Sequence, residues 1–160
     1  MECAELMVRL GEGLGIEGFA PDDDGRFNLS VDGTVVSFGE RPERGLLDIV
    51  ARICDLPAEN IGQVLKVLMA AMAPGGAAEH YSFFAMDEDG GLYLRRTEGL
   101  AHLDVEGVRL ALEEFANALD EWRAAIADYR SVLPVVNDGL ARSAEETRSF
   151  GLSERGFMRV

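Results

Sequence analysis

The sequence predicts an α+β protein: an antiparallel, twisted sheet with helices packed on it, in the order α-β-β-β-α-β-β-α. Three observations predict it. The stretch RFNLSVDGTVVSFG, residues 26–39, holds two short runs around Asp32-Gly33, a strong short-range hairpin signal. The hydrophobic period changes from two residues to about 3.6 between 46–56 and 58–73. Residues 104–130 carry one unbroken helical stripe.

The elements follow in order. In residues 3–14, Cys3, Leu6, Met7, Leu10 and Leu14 repeat at helical spacing, and Gly11, Gly13 and Gly15 weaken the end of that helix. PDDDG at 21–25 reads as a turn or solvated loop. A two-residue Asp-Gly turn then pairs Val31 with Thr34, Leu29 with Val36 and Phe27 with Phe38. Those six share one face, and Asn28, Ser30, Val35 and Ser37 share the other. A lone hairpin is barely stable in water, so the apolar face needs a cover.

ERPERG at 40–45 is a polar connection. LLDIVARICDL at 46–56 is a third strand, with Leu47, Ile49, Ala51 and Ile53 on one face and Leu46, Asp48, Val50, Arg52 and Cys54 on the other. Pro57 ends it. In 58–73, Ile61, Val64, Leu65, Leu68, Met69 and Met72 form a helical face, with Asn60 as an N-cap, and PGGAAE at 74–79 breaks the helix. Residues 80–99 read as a second hairpin: Tyr81, Phe83 and Ala85 on one face of its first strand, Ser82, Phe84 and Met86 on the other, and Leu92 with Leu94 on the return strand. The last helix steps through Val108, Leu112, Phe115, Leu119, Trp122, Ile126 and Tyr129. Pro134 is expected to stop it. Residues 1–136 are thus expected to form the domain, and 137–160, rich in Ser, Glu and Arg, a flexible tail.

The chain of 160 residues is long enough for one domain with a core, and its 48% apolar content is that of an ordinary soluble protein. No apolar run approaches the roughly 18 residues of a spanning helix, so no membrane insertion is expected. The N-terminus lacks the basic start and cleavage pattern of a signal peptide, so a cytoplasmic location is expected. The net charge is −14, and Asp138, Glu145, Glu146 and Glu154 cancel against Arg142, Arg148, Arg155 and Arg159. The whole excess therefore sits in residues 1–136. Such a domain repels nucleic-acid phosphate. The acidity serves solubility, or it holds a basic or poorly soluble partner.

No chemistry is legible. His80 and His102 have no Cys or His at ligand spacing, and Cys3 and Cys54 match no metal or redox motif. In DEDGGLYLRRTE, residues 87–98, Asp87, Asp89 and Glu98 fall on calcium-loop positions, but Leu92 stands where glycine is required. A hairpin turn is the reading. The glycines at 11, 13, 15 and 18 follow no strand and precede no Lys-Ser or Lys-Thr, so they are no phosphate loop. No cofactor, metal or catalytic residue is expected.

The element order, the acidity and the stretches FNLSVDGTVVSF, LLDIVARICDLP, NIGQVLKVLMAAM, YSFFAMDEDGGLYLRR and LDVEGVRLALEEFANALDEWRAAI resemble the class I type III secretion chaperones of the CesT/Tir chaperone family, over residues 3–130. The resemblance implies a non-enzymatic homodimer in a Gram-negative cytoplasm. It would bind the extended N-terminal segment of a secreted effector, keep it soluble for export and deliver it to the export apparatus. It implies effector contacts at Leu6, Leu10, Leu29, Val31, Val36, Phe38, Leu47 and Ile49, and dimer contacts at Leu65, Leu68, Met69, Met72, Tyr81, Phe83 and Phe84. Each of these also reads as ordinary core. The alternative is a related acidic dimer, similar to the YbjN group, that binds a folded partner.

Overall fold

The computed structural model describes the backbone of residues 2–56, 61–71 and 82–149, with side chains as far as residue 69 in the second helix and 128 in the last. The elements are α1 (Cys3–Gly13), β1 (Phe27–Val31), β2 (Thr34–Arg41), β3 (Leu46–Asp55), α2 (Ile61–Ala71), β4 (Ser82–Met86), β5 (Gly91–Gly99) and α3 (Val105–Ser149). Short 3₁₀ turns at Pro42–Arg44 and Leu100–His102 join β2 to β3 and β5 to α3. This is the expected α+β order. The five strands form one antiparallel sheet in the order β1-β2-β3-β5-β4. The expected N-cap Asn60, the stop at Pro57, the break at 74–79 and the side chain of Tyr129 lie outside what is described.

The first hairpin has the predicted register: Phe27 opposite Phe38, Leu29 opposite Val36, Val31 opposite Thr34. Its turn puts Asp32 at φ 48° and Gly33 at φ 77°. Two positive values define the primed turn whose twist matches that of the strands.

The alternation along each strand sets which face is buried. Phe27, Val36, Phe38, Leu47, Ile49, Ala51, Leu92 and Leu94 all lie on one face and are buried. Val108, Leu112, Phe115 and Leu119 of α3, and Cys3, Leu6, Met7 and Leu10 of α1, are buried with them. Leu14 is 41% exposed instead of closing the α1 stripe, because the helix ends at Gly13 and the chain leaves its axis.

Polar contacts tie α3 to the sheet. Arg96, buried on the core face, donates to Glu98 (2.5 Å) and to Glu114 of α3 (2.7 Å). Burial works against its charge, but the Glu114 and Glu98 bonds outweigh it, so the guanidinium pKa stays above its usual value. A bulge between Arg52 and Cys54 disturbs the β3–β5 ladder. The carbonyl of Arg52 there accepts from Arg123 of α3 (2.7 Å), whose other arm bonds the Thr34 hydroxyl (2.5 Å).

One expectation fails. α3 runs through Pro134 to Ser149 instead of stopping. Proline removes one helical N–H and crowds the preceding turn, which costs about 3 kcal/mol but does not by itself end a helix. Two compact units divide the chain, Met1–Ala124 and Ala125–Val160, with the boundary inside α3. The first holds the whole sheet; the described part of the second is helical.

Candidate partner-binding site

The sheet face away from α3 carries Asn28, Ser30, Val35, Ser37, Arg41, Asp48, Val50, Arg52, Phe83, Tyr93, Arg95 and Thr97 by strand alternation. At its centre Asp48 is only 7% exposed. One carboxylate oxygen accepts from Arg41 Nε (2.5 Å) and from the Arg95 guanidinium, and the other accepts from Thr97 Oγ1 (2.9 Å). Arg95 also lies over the Phe83 ring, 5.5 Å from its centroid, and Arg52 lies over Tyr93 at 5.8 Å. These contacts supply a carboxylate with the donors it needs away from water. They leave an arginine and aromatic surface, with Val35 58% exposed beside it.

The turn between β4 and β5 is built on Asp87. One carboxylate oxygen accepts the N–H of Gly91 (2.7 Å) and of Asp89 (3.1 Å); the other accepts the Tyr93 hydroxyl (2.9 Å). The Gly91 amide first, then the Tyr93 hydroxyl, hold the Asp87 carboxyl below the usual range, and the same bond raises the Tyr93 phenol. The calcium-like spacing is thus spent on an Asx turn of the second hairpin.

Among the described residues no group of three or more His, Cys, Asp and Glu could hold a metal, and no helix is long and apolar enough to cross a membrane. Cys3 is buried, and burial, then the Glu40 charge, push its thiol up to about 11. That thiol is a poor nucleophile at neutral pH. His102 is exposed; His80 lies outside the described residues. β1 and β4 are the edge strands of the sheet, and α1 and α2 carry the exposed apolar residues Val8, Val67 and Met69.

Residues 5–123 match the model of the Tir chaperone protein (CesT) family. The chain belongs to that family. No curated protein matches it significantly. Solved structures share its fold. A chain of the HopA1–SchA chaperone–effector complex is 18% identical with a TM-score of 0.61, over 75% of this chain and 91% of that one. A chain of the ExsC–ExsE complex is 17% identical with a TM-score of 0.58, over 78% and 96%. A chain of the ExoT–SpcS complex of Pseudomonas aeruginosa is 16% identical with a TM-score of 0.55, over 76% and 98%.

In this Tir chaperone family member the residues expected to meet an effector separate into two groups. Leu6, Leu10, Val36, Phe38, Leu47 and Ile49 are all 0–1% exposed and pack in one core. The helices close over the face they share, so in this chain the six are placed as the core that each also read as. Leu29 and Val31, on edge strand β1, remain half-buried. Among the described residues, the exposed apolar ones that the pattern did not single out are Val8, Val35, Val67 and Leu110. Val8 and Val67 sit off the apolar stripes of α1 and α2, and that position is the signal that marks them.

The expected dimer residues separate as well. Met69 is 73% exposed and Leu65 half-buried, whereas Leu68 is 2% exposed and belongs to the core. Phe83 faces the arginine side of the sheet, while Phe84 packs against Trp122 of α3. Adjacent strand residues point to opposite faces, so these two rings cannot serve one surface. Met72 and Tyr81 lie outside the described residues.

Proposed function

We propose that this protein is a non-catalytic, dimeric type III secretion chaperone of a Gram-negative cytoplasm. It holds the N-terminal segment of a secreted effector in an extended form, soluble and partly unfolded, and passes it to the export apparatus. The observation that carries this reading is the family match over residues 5–123, which runs through every strand of the sheet and most of the way along the first unit. Its fold neighbours come from complexes such as HopA1–SchA, which supports a polypeptide partner.

The surfaces suit that task. Edge strand β1 offers unpaired backbone groups to an extended segment, beside the accessible parts of Leu29 and Val31. Val8 and Leu14 on the α1 side add apolar area. Val67 and Met69 of α2 are the exposed apolar residues for self-association.

Co-expression with the protein encoded beside its gene tests the reading. The expected product is a soluble complex of two copies with one effector, in which an N-terminal effector segment resists protease. Met69→Glu should give a monomer by light scattering with an unchanged melting temperature. A stable wild-type monomer with no affinity for any secreted protein would sink the proposal.

A further inference from the structure

The glycine-rich segment after α1 builds a groove. Residues 14–19 turn back on the helix, with the Ile16 N–H donating to the Gly11 carbonyl (2.8 Å) and the Gly15 N–H to that of Glu12 (3.1 Å). Gly15 and Gly18 take φ of 73° and 68°, a conformation other residues adopt at a cost. Phe19 lies directly on Gly11: a Cβ at position 11 would come within 2.5 Å of the Phe19 Cβ. The Phe19 ring is in turn seated against Phe27 of β1, with centroids 5.3 Å apart. The loop is thus pinned to both the helix and the sheet.

Between loop and helix lies an open groove of about 480 Å³, lined by Val8, Ile16 and Phe19 with Glu12 and Glu17 beside them. Val8 is 42% exposed, and both glutamates are exposed. Neither glutamate is in an ion pair among the described residues, whereas Glu5, two turns before Glu12, is bonded to Arg9 at 2.7 Å.

We propose that this groove docks a short partner segment that presents an aliphatic side chain flanked by Lys or Arg. The apolar lining takes the aliphatic side chain, and the two carboxylates take the cations. An acidic segment meets repulsion there, both from the rim and from a chain of net charge −14. A basic segment suits the acidic rim better than a second copy of this chain, whose net charge is also −14. This deepens the chaperone reading, on which the partner's unfolded state rests, by giving the guest a chemical character.

The test uses the full chain and two fluorescein-labelled synthetic peptides of equal length, one alternating Leu and Lys, the other Leu and Glu, read by fluorescence anisotropy. The Leu-Lys peptide should bind and the Leu-Glu peptide should not. Val8→Asp should weaken binding about tenfold or more. The pair E12K/E17K should reverse the preference between peptides, and the pair D120K/E121K on α3, with the same change of charge, should leave most of the affinity. Unaltered melting curves establish that the variants fold. If Val8→Asp has no effect, or if D120K/E121K costs as much as E12K/E17K, binding is diffuse electrostatics and the groove is overturned. Loss of the groove with an intact effector complex leaves the chaperone reading standing; peptide binding with no effector complex does the reverse.

Discussion

The rings of Phe84 on β4 and Trp122 on α3 meet edge to face, with centroids 4.8 Å apart and planes at 86°. This contact joins the outer strand of the sheet to its covering helix. It involves the one tryptophan of the chain, so intrinsic fluorescence reports on it. A double-mutant cycle of Phe84→Leu and Trp122→Leu should give a coupling of about 0.5–1.5 kcal/mol. Phe84→Leu alone should shift the tryptophan emission. A coupling of zero would mean that the rings touch without stabilising the pair.

The Asp48 cluster should be a stabilising centre of the open sheet face. Asp48→Ala strands Arg41, Arg95 and the Thr97 hydroxyl. Both arginines are a quarter to a third exposed, so water replaces part of what is lost. We expect a loss of about 2–3 kcal/mol in urea unfolding. Thr97→Val, which removes one neutral donor, should cost about 1 kcal/mol.

Two glycines of α1 should respond oppositely to alanine. At Gly11 the new Cβ meets Phe19 at 2.5 Å, so the loop must move; the cost should be about 1–3 kcal/mol. At Gly13 nothing lies within 4 Å, so Gly13→Ala should be neutral or stabilise by up to about 1 kcal/mol through helix propensity. Equal effects at the two positions would remove the close approach as the reason for Gly11.

Asp87 should contribute to acid unfolding. Its folded carboxyl lies below the usual range, because of the Gly91 amide and the Tyr93 hydroxyl. A depressed folded value means that the stabilisation is full above the unfolded value of about 3.9 and is lost as pH falls through the folded one. Melting temperature measured from pH 7 to pH 2 should fall less steeply below about pH 4 in Asp87→Asn than in the wild type. The variant should also be the less stable of the two at pH 7, since an amide is a weaker acceptor for the turn. Parallel curves would show that the turn does not depend on the charge.

Much of the fold was legible locally. The Asp-Gly turn dictates the register of β1 and β2, because a two-residue loop leaves only one pairing. The alternation in 46–56 put Leu47, Ile49 and Ala51 on one face and Asp48 on the other, as the structure has them. The candidate site was less legible. Pattern alone says that Phe38 and Ile49 share an apolar face, but not that α1 and α3 close it; both read the same whether core or binding surface. Met69 shares the α2 stripe with Leu68, yet one is exposed and the other is not.

The sequence by itself thus determined the α+β class, the strand register of the first hairpin, the family and the absence of a legible catalytic motif, since these rest on neighbours along the chain. Only the tertiary structure decided which apolar residues remain open, that Asp48 gathers Arg41, Arg95 and Thr97, and that the glycines after α1 shape a groove around Phe19. Those outcomes depend on contacts between residues distant in sequence, such as Arg95 with Asp48 and Phe19 with Gly11 and Phe27. Helical and strand periodicity records which side of an element is apolar, but not what comes to rest against it.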